Sequence, residues 1–289
     1  MCPHCGCYER VGKLNGKSTR TGTYKCYDCR KPFTVKVGTI FEASHIPMNI
    51  WLQAIFMIAT SKKGVSSNQL HRMLGITLKS AWFMSHRIRE AMKGGKLEIF
   101  GAEGGDVEAD ETFIGRNYNK KPKGEKKGRG YAHKFKVFSL IDRSTGQARS
   151  IVVDDLKLKT LLPIIQANVS PKARVLTDEA GQYVINNAIS NLRMHFRDHG
   201  FVRHGVGEYV SREDGTLHTN TIEGFFSIFK RGMKGVYQHC GENHLHRYLA
   251  EFDFRYNNRI ALGVDDSERA ANILSGVKGK RLTYQTTFV

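Results

Sequence analysis

The chain has 289 residues, and its 45 Lys and Arg against 27 Asp and Glu leave a formal charge of +18. A chain this basic attracts polyanions, nucleic acid being the commonest, and its length is enough for two or three folded units with a sizeable core. The most apolar run, residues 50–59, contains Gln53 and falls far short of the roughly 20 residues that span a bilayer, so no membrane partner is expected. The chain also opens without the charged and apolar regions of a secretory signal, and the class these features point to is a cytoplasmic nucleic-acid-binding protein.

At the N-terminus, Cys2-Pro3-His4-Cys5 and Cys26-Tyr27-Asp28-Cys29 form two Cys-x-x-Cys knuckles. A two-residue gap lets both sulfurs of a knuckle reach one Zn²⁺ at roughly 2.3 Å, and the spacer, with Gly12, Gly16 and Gly22 as turn points, suits a short hairpin. A structural zinc ribbon is expected over residues 1–37, with Cys2, Cys5, Cys26 and Cys29 as ligands. A disulfide framework is the alternative, and it would need an oxidising compartment that the missing signal argues against. Cys7 and Cys240 fall outside the pattern and read as ordinary buried thiols; His4 is a ligand only if a cysteine is not used. Residues 33–37 alternate as a closing strand would.

From residue 49 the period becomes helical. Ile50, Trp51, Ala54, Ile55 and Ile58 form one apolar stripe, and Val65, Leu70, Met73 and Leu74 form a second, entered through Ser66-Ser67 and broken by Gly75. A third helix starts at Thr77 and runs through Ala81, Met84, Ile88 and Met92 to Gly94-Gly95. Three short helices with a tight turn before the last predict a helix-turn-helix over residues 45–94. Lys79, Ser80, His86, Arg87 and Arg89 are expected on the outward side of the third helix, where they would meet phosphates. The bland alternative is a three-helix bundle with a solvated basic face.

Beyond residue 98, strands alternate with helices. Strands are expected at 106–114, 135–142, 148–154 and 174–177, with helices at 156–169 and 180–191, an order that implies a mixed sheet with helices on its faces. Between the first two strands, Lys120, Lys121, Lys123, Lys126, Lys127 and Arg129 alternate with Gly and Pro, a loop suited to holding a phosphate backbone.

Within this basic chain, acids gather in one region. Asp110 lies near the end of the first strand and Asp178 closes the fourth; if those strands are neighbours, the two carboxylates can share Mg²⁺, a hard cation that prefers oxygen ligands. Alternation puts Asp106, Glu108 and Asp110 on one face, so spacing does not choose among them. Residues 218–231 read as a helix with Ile222, Phe225, Phe226, Phe229 and Met233 as its apolar stripe, and Asn220, Glu223, Ser227 and Lys230 along the other side. A solvated polar face is the plain alternative for Glu223 and Lys230. A further helix, 242–259, has Leu245, Tyr248, Leu249, Phe252 and Tyr256 as its packing stripe.

Taken as a set, the ribbon, Gly38-Thr39-Ile40-Phe41-Glu42, the run Ala81-Trp82-Phe83-Met84-Ser85-His86-Arg87-Ile88-Arg89, the strand Glu108-Ala109-Asp110-Glu111-Thr112 and the segment from His218-Thr219-Asn220 to Tyr237 resemble transposases of the IS1595 family with an ISXO2-like catalytic domain. The resemblance covers nearly the whole chain. It implies an α/β fold, a ribonuclease H-like mixed sheet flanked by helices over 98–262, preceded by the ribbon and the helix-turn-helix and followed by a C-terminal tail over 263–289. It also implies DNA cleavage and strand transfer by two Asp, an Asn or Glu, and a downstream Lys, which fall here on Asp110, Asp178, Asn220 with Glu223 close by, and Lys230. With that set go two catalytic Mg²⁺ or Mn²⁺ ions, double-stranded DNA as element ends and target, and a homo-oligomer assembled on DNA at the nucleoid of a prokaryotic cytoplasm. The choice between Asn220 and Glu223 as third metal residue stays open. Relatives carry a further segment before the first knuckle, so a start at Met1-Cys2 implies a shortened copy or a misassigned codon. A catalytically silent DNA-binding regulator of the same ancestry is the alternative function. A zinc hydrolase is set aside, because a four-thiolate site leaves no position for water.

Overall fold

The glycine-rich spacer between the knuckles folds as an antiparallel meander of β1 (Val11–Lys13), β2 (Thr23–Cys26) and β3 (Pro32–Thr34). This is the first part of a computed structural model that describes residues 1–94, 98–115, 133–184 and 188–283. Val11 pairs with Cys26, and Tyr24 faces Phe33 across β2 and β3 with their rings stacked at 5.9 Å. The closing strand is shorter than its alternation predicts. Thr34 accepts the N–H groups of Lys36 through its hydroxyl and of Val37 through its carbonyl, which turns the chain at that point.

By internal contacts the chain forms two units: Met1–Thr60 with Ser67–Gly94 and Asp266–Val289, and Ser61–Ser66 with Gly95–Asp265. In the first, α1 (Met48–Thr60), α2 (Ser67–Leu74) and α3 (Leu78–Met92) follow the expected order. Trp51, Ala54, Ile55, Ile58, Leu70, Ala81, Met84 and Ile88 are buried, whereas Met73, expected in the stripe of α2, is exposed. Thr77 caps α3 by accepting the Ser80 N–H at 3.2 Å.

Two expectations for this unit change. The basic set on α3 does not face outward: His86, Arg87 and Arg89 are buried. Arg87 donates to the carbonyls of Ile40 and Glu42 at 2.8 Å and of Leu282 at 3.2 Å, while Arg89 donates to Ser85 Oγ at 2.9 Å. These cations satisfy backbone and hydroxyl acceptors inside the unit and leave only Lys79 exposed and Ser80 half-exposed at the start of the helix. The segment read as a tail carries a helix of its own, here called α9 (Asp266–Ser275), which packs on α1 and α3 and buries Ile273.

The second unit is built on β4 (Asp106–Ile114), β5 (Phe135–Asp142), β6 (Ala148–Val153), β7 (Arg174–Asp178) and β8 (Asp198–Val202), in spatial order β6-β5-β4-β7-β8. β4, β5 and β6 are antiparallel neighbours, and β7 and β8 continue the sheet parallel to β4. The helices are α4 (Leu158–Asn168), α5 (Gly181–Val184), α6 (Ala188–His195), α7 (Asn220–Gly232) and α8 (Glu242–Asn257). One sheet face packs Val107, Ala109, Phe138, Leu140 and Val175 against Leu161, Ile165, Tyr183 and Leu192; the other packs Val137 and Ile141 against Ile222, Phe225, Phe229, Leu249 and Phe252. This is the expected mixed sheet flanked by helices.

β8 is an addition to the expected strands. Its Asp198-His199-Gly200-Phe201-Val202 sequence has no apolar alternation, and it forms because β7 offers a parallel edge; Gly200 admits Leu217, whose Cδ1 would lie 2.6 Å from a Cβ there. The outer edge of β6 is covered by α8: Asp253 accepts the N–H and hydroxyl of Ser150 at 2.8 and 2.7 Å, and Asn257 pairs with both backbone groups of Ala148. The helix expected over 180–191 is divided into α5 and α6, with 185–187 outside the described residues. The lysine-rich loop with Lys120, Lys121, Lys123, Lys126, Lys127 and Arg129 also lies outside them. No helix among the described residues is long and apolar enough to cross a membrane.

Candidate active site and metal centre

The register of β4 against β7 pairs Asp106 with Arg174 and Glu108 with Leu176. Two residues further along both parallel strands, Asp110 and Asp178 stand at the same level. Same-level residues of a parallel pair point to the same side of the sheet, here the side covered by α7.

The three acids that alternation could not separate have different partners. Asp106 is paired with Arg174 at 2.6 Å and with Arg143 at 3.4 Å. Glu108 is fully buried, and accepts Arg143 Nε at 2.7 Å on one oxygen and the Ile222 N–H, in the first turn of α7, at 2.8 Å on the other. Both are neutralised. Asp110 has no cation at bonding distance among the described residues; its Oδ1 accepts the Glu111 N–H at 2.6 Å. Burial, then the negative charges of Glu111, Asp178 and Glu223, hold its pKa well above the usual carboxylate value.

The same electrostatics bring Lys230 into the group. Burial lowers its pKa, opposed by Asp110 and Glu223 and reinforced by Lys234 and Lys134. Asp178 accepts the Ala180 N–H at 2.9 Å, so the chain turns away from the sheet directly after it. Glu223 lies in the first turn of α7 with its Oε1 3.6 Å from His204 Nε2. Asp178, Glu223 and Lys230 therefore lie within electrostatic reach of Asp110. Asn220 opens α7 one turn before Glu223 and is exposed; its backbone N–H reaches His218 Nδ1 at 3.4 Å, and its side chain has no hydrogen bond among the described residues.

Two features escaped the sequence. Glu111, whose alternation sends it to the opposite sheet face from Asp110, is held there by Tyr183, whose hydroxyl donates at 2.8 Å, and by Gln182. Burial raises its pKa to about 7, with Asp178 adding to the effect and both hydrogen bonds opposing it. The second is Arg143, directly after β5, which also donates to the carbonyls of Thr216 and His218 at 2.5 and 2.6 Å. Through Arg143 and Glu108 the strands hold the start of α7, and with it the height of Asn220 and Glu223 over Asp110. Adjacency of Glu111 to Asp110 was the only sequence signal for the first, and a lone arginine after a strand gave none for the second.

The oxygen donors of Asp110, Asp178 and Glu223 fit a hard divalent cation, which would offset the mutual repulsion expressed in the raised pKa of Asp110. They are looser than the thiols. Among the described residues, only cysteine-containing groups bring three or more ligand atoms within 4.8 Å of one another.

At the other end of the chain, the sulfurs of Cys2, Cys5, Cys26 and Cys29 do so as a set of four. Cys2 and Cys29 are 3.7 Å apart and Cys5 and Cys26 3.6 Å. Four sulfurs at roughly 2.3 Å from a central ion stand roughly 3.8 Å apart along a tetrahedron edge, and a disulfide needs roughly 2.05 Å. The cluster therefore has the size of a metal-thiolate site and can hold a structural metal. His4 is exposed, with its ring against Phe33, and Cys7 and Cys240 are half-buried rather than buried.

Residues 103–257 match the ISXO2-like transposase domain. The chain belongs to this transposase family. A curated relative, an uncharacterized protein in the transposable element ISH50 of Halobacterium salinarum, is 26% identical over 242 residues, covering 80% of this chain and 77% of that one. Solved structures with similarity to this transposase include a pre-cleavage Mos1 transpososome, 10% identical with 78% of each chain covered and a TM-score of 0.31. Another is the Mos1 strand transfer complex, 11% identical, covering 81% of this chain and 77% of that one, with a TM-score of 0.32.

Proposed function

We propose that this transposase cleaves double-stranded DNA at the ends of an insertion sequence and joins them to a target by metal-dependent phosphoryl transfer. One observation carries the reading. Of the acids on the α7 side of β4, Asp106 and Glu108 are matched by arginines, while Asp110 is left level with Asp178, under Glu223 and Lys230, in a site that raises its proton affinity. A fold gains nothing in stability from such a cluster, and functional sites are where it recurs.

Asp110 and Asp178 would hold the divalent cations, Mg²⁺ or Mn²⁺, with Asn220 or Glu223 completing the shell. Bound there, two such ions supply activation of the attacking hydroxyl and stabilisation of the leaving oxygen. Lys230 holds a phosphate oxygen of the cut strand, its burial strengthening that contact. The attack is direct, first by water and then by the freed 3′-hydroxyl, so no side chain forms a covalent bond to DNA. The four-cysteine cluster binds Zn²⁺ and keeps the ribbon folded. The ribbon and the helical unit grip the element ends, with Lys79 and the exposed Asn68, Gln69 and Arg72 of α2 in place of the buried arginines of α3. The protein works as a homo-oligomer on DNA in a prokaryotic cytoplasm.

The test uses duplexes carrying the inverted repeats that flank the gene. Parent protein should nick them with Mg²⁺ or Mn²⁺, and Asp110→Asn and Asp178→Asn should each abolish nicking while retaining DNA binding. Parent protein that binds these ends without ever cutting them would identify the silent regulator instead.

A further inference from the structure

Beside Lys230 the second unit has a cleft of ≈ 560 Å³. That volume lies in the range of small-ligand pockets, roughly 300–1,000 Å³, and is far too small for a duplex. Its lining is mixed. Lys134, Lys230 and Lys234 supply positive charge and outnumber the one acid, Glu111, while Phe113 and Phe135 lead an apolar lining with Gln238 at its margin.

The wall that carries Lys234 and Gln238 is not ordinary helix. After α7 the backbone widens into a π-turn over Met233–Tyr237, closed by the Gln238 N–H donating to the Met233 carbonyl at 2.8 Å. It ends on Gln238 at φ +58°, a left-handed position that costs energy for a residue with a side chain. Widened turns of this kind are rare and concentrate at functional sites. Across the cleft, β4 is followed by Gly115, φ +63°, where a Cβ would come within 3.1 Å of the Phe135 ring. Both walls thus depart from regular backbone, and the catalytic reading leaves both departures without a use.

Lysines draw phosphate, a half-exposed phenylalanine offers a stacking face, and a glutamine can address a base edge. Inorganic phosphate would need only the first of these. We infer that this cleft seats one unpaired nucleotide of the DNA strand, its base against Phe113 and its phosphate toward Lys234 and Lys134. The inference rests on the transposase reading for the source of the nucleotide, and it assigns to the strand next to the cut a frayed or extended terminal residue rather than a paired one.

The test is equilibrium binding without Mg²⁺ or Mn²⁺, so that no cleavage is required. Fluorescence anisotropy compares a blunt flanking-repeat duplex with the same duplex carrying a short single-stranded extension. Stacking of one base against an aromatic side chain predicts binding of the extended duplex about tenfold tighter. Phe113→Ala should reduce that advantage to about twofold or less with blunt-duplex affinity unchanged, and Phe113→Tyr should keep it. Lys234→Ala, at an exposed position that folding does not need, should reduce it as well, and Lys234→Arg should restore it. A deoxynucleoside monophosphate should compete for the extension while inorganic phosphate at equal concentration should not. The inference is overturned if the parent shows no advantage for the extension, if the advantage survives both Phe113→Ala and Lys234→Ala, or if inorganic phosphate competes equally, which would make the cleft a simple anion site. Cleavage-competent protein with no extension preference would sink the subsite alone; a preference in protein that never cuts would keep it and refute the catalytic reading.

Discussion

Replacing Arg143 with methionine should unfasten α7 before it disturbs anything else. Arg143 is the only cation bonded to the fully buried Glu108, at 2.7 Å among the described residues, and it also ties down the carbonyls of Thr216 and His218. Arg143→Met leaves Glu108 with the Ile222 N–H as its one hydrogen bond among the described residues and His218 Nδ1 at 3.6 Å, an uncompensated buried charge. Breaking a buried pair from one side costs about 3–5 kcal/mol, whereas removing both partners costs much less. The double variant Arg143→Met with Glu108→Gln should therefore be more stable than Arg143→Met alone. Urea unfolding followed by circular dichroism measures the totals, and hydrogen exchange over residues 218–226 reads the local effect. An Arg143→Met protein within about 1 kcal/mol of the parent, or a double variant equal to the sum of the singles, would refute the view that these strands set the position of α7.

Three further outcomes are expected. Freshly purified protein should contain one Zn²⁺ per chain by metal analysis, and Cys26→Ser or a strong chelator should unfold the ribbon as the metal leaves, because a meander this small has little core of its own. Burial raises the pKa of Asp253 to about 7 despite the opposing bonds from Ser150, so its contribution to stability is full below about pH 4 and is lost between about pH 4 and 7; Asp253→Asn should flatten the pH dependence of urea stability there, by up to about 1.4 kcal/mol per pH unit. Asp110→Asn should raise the midpoint of thermal unfolding of metal-free protein at about pH 8, where the buried carboxylate is disfavoured, while abolishing the thermal shift that Mg²⁺ gives the parent; a less stable variant would contradict the repulsion described for this site.

Much of the fold was legible because strong local signals agreed with tertiary placement. The cysteine spacing led to a four-sulfur cluster, the alternation of residues 106–114 to β4, and the 3.6-residue stripe of α7 to Ile222, Phe225, Phe226 and Phe229 in the core. What stayed hidden depended on partners distant in sequence. A basic residue on a helix reads as solvent-facing unless acceptors such as the Ile40, Glu42 and Leu282 carbonyls are known to surround it, which is why α3 was misjudged. β8 owes its existence to the edge of β7 and not to its own composition. In the candidate site, period-2 alternation grouped Asp106, Glu108 and Asp110, and only the positions of Arg143 and Arg174 distinguish the neutralised acids from the remaining one. Glu111 shows the reverse limit: a residue that alternation correctly places on the opposite face is still within electrostatic reach of its neighbour.

The order of elements along the chain has a consequence during synthesis. Helix α9 follows the whole catalytic unit in sequence, yet Ile273 is buried in the helical unit and Arg269 donates to the Ala59 carbonyl at 3.2 Å at the end of α1. A ribosome therefore delivers α1, α2 and α3 long before the piece that completes their core. A message interrupted anywhere in the unit built on β4 to β8 would yield a helical unit with an open apolar seam, a ready substrate for proteolysis. Intact product escapes that fate, so under the proposed function the cell would accumulate few fragments able to occupy element ends without cutting them.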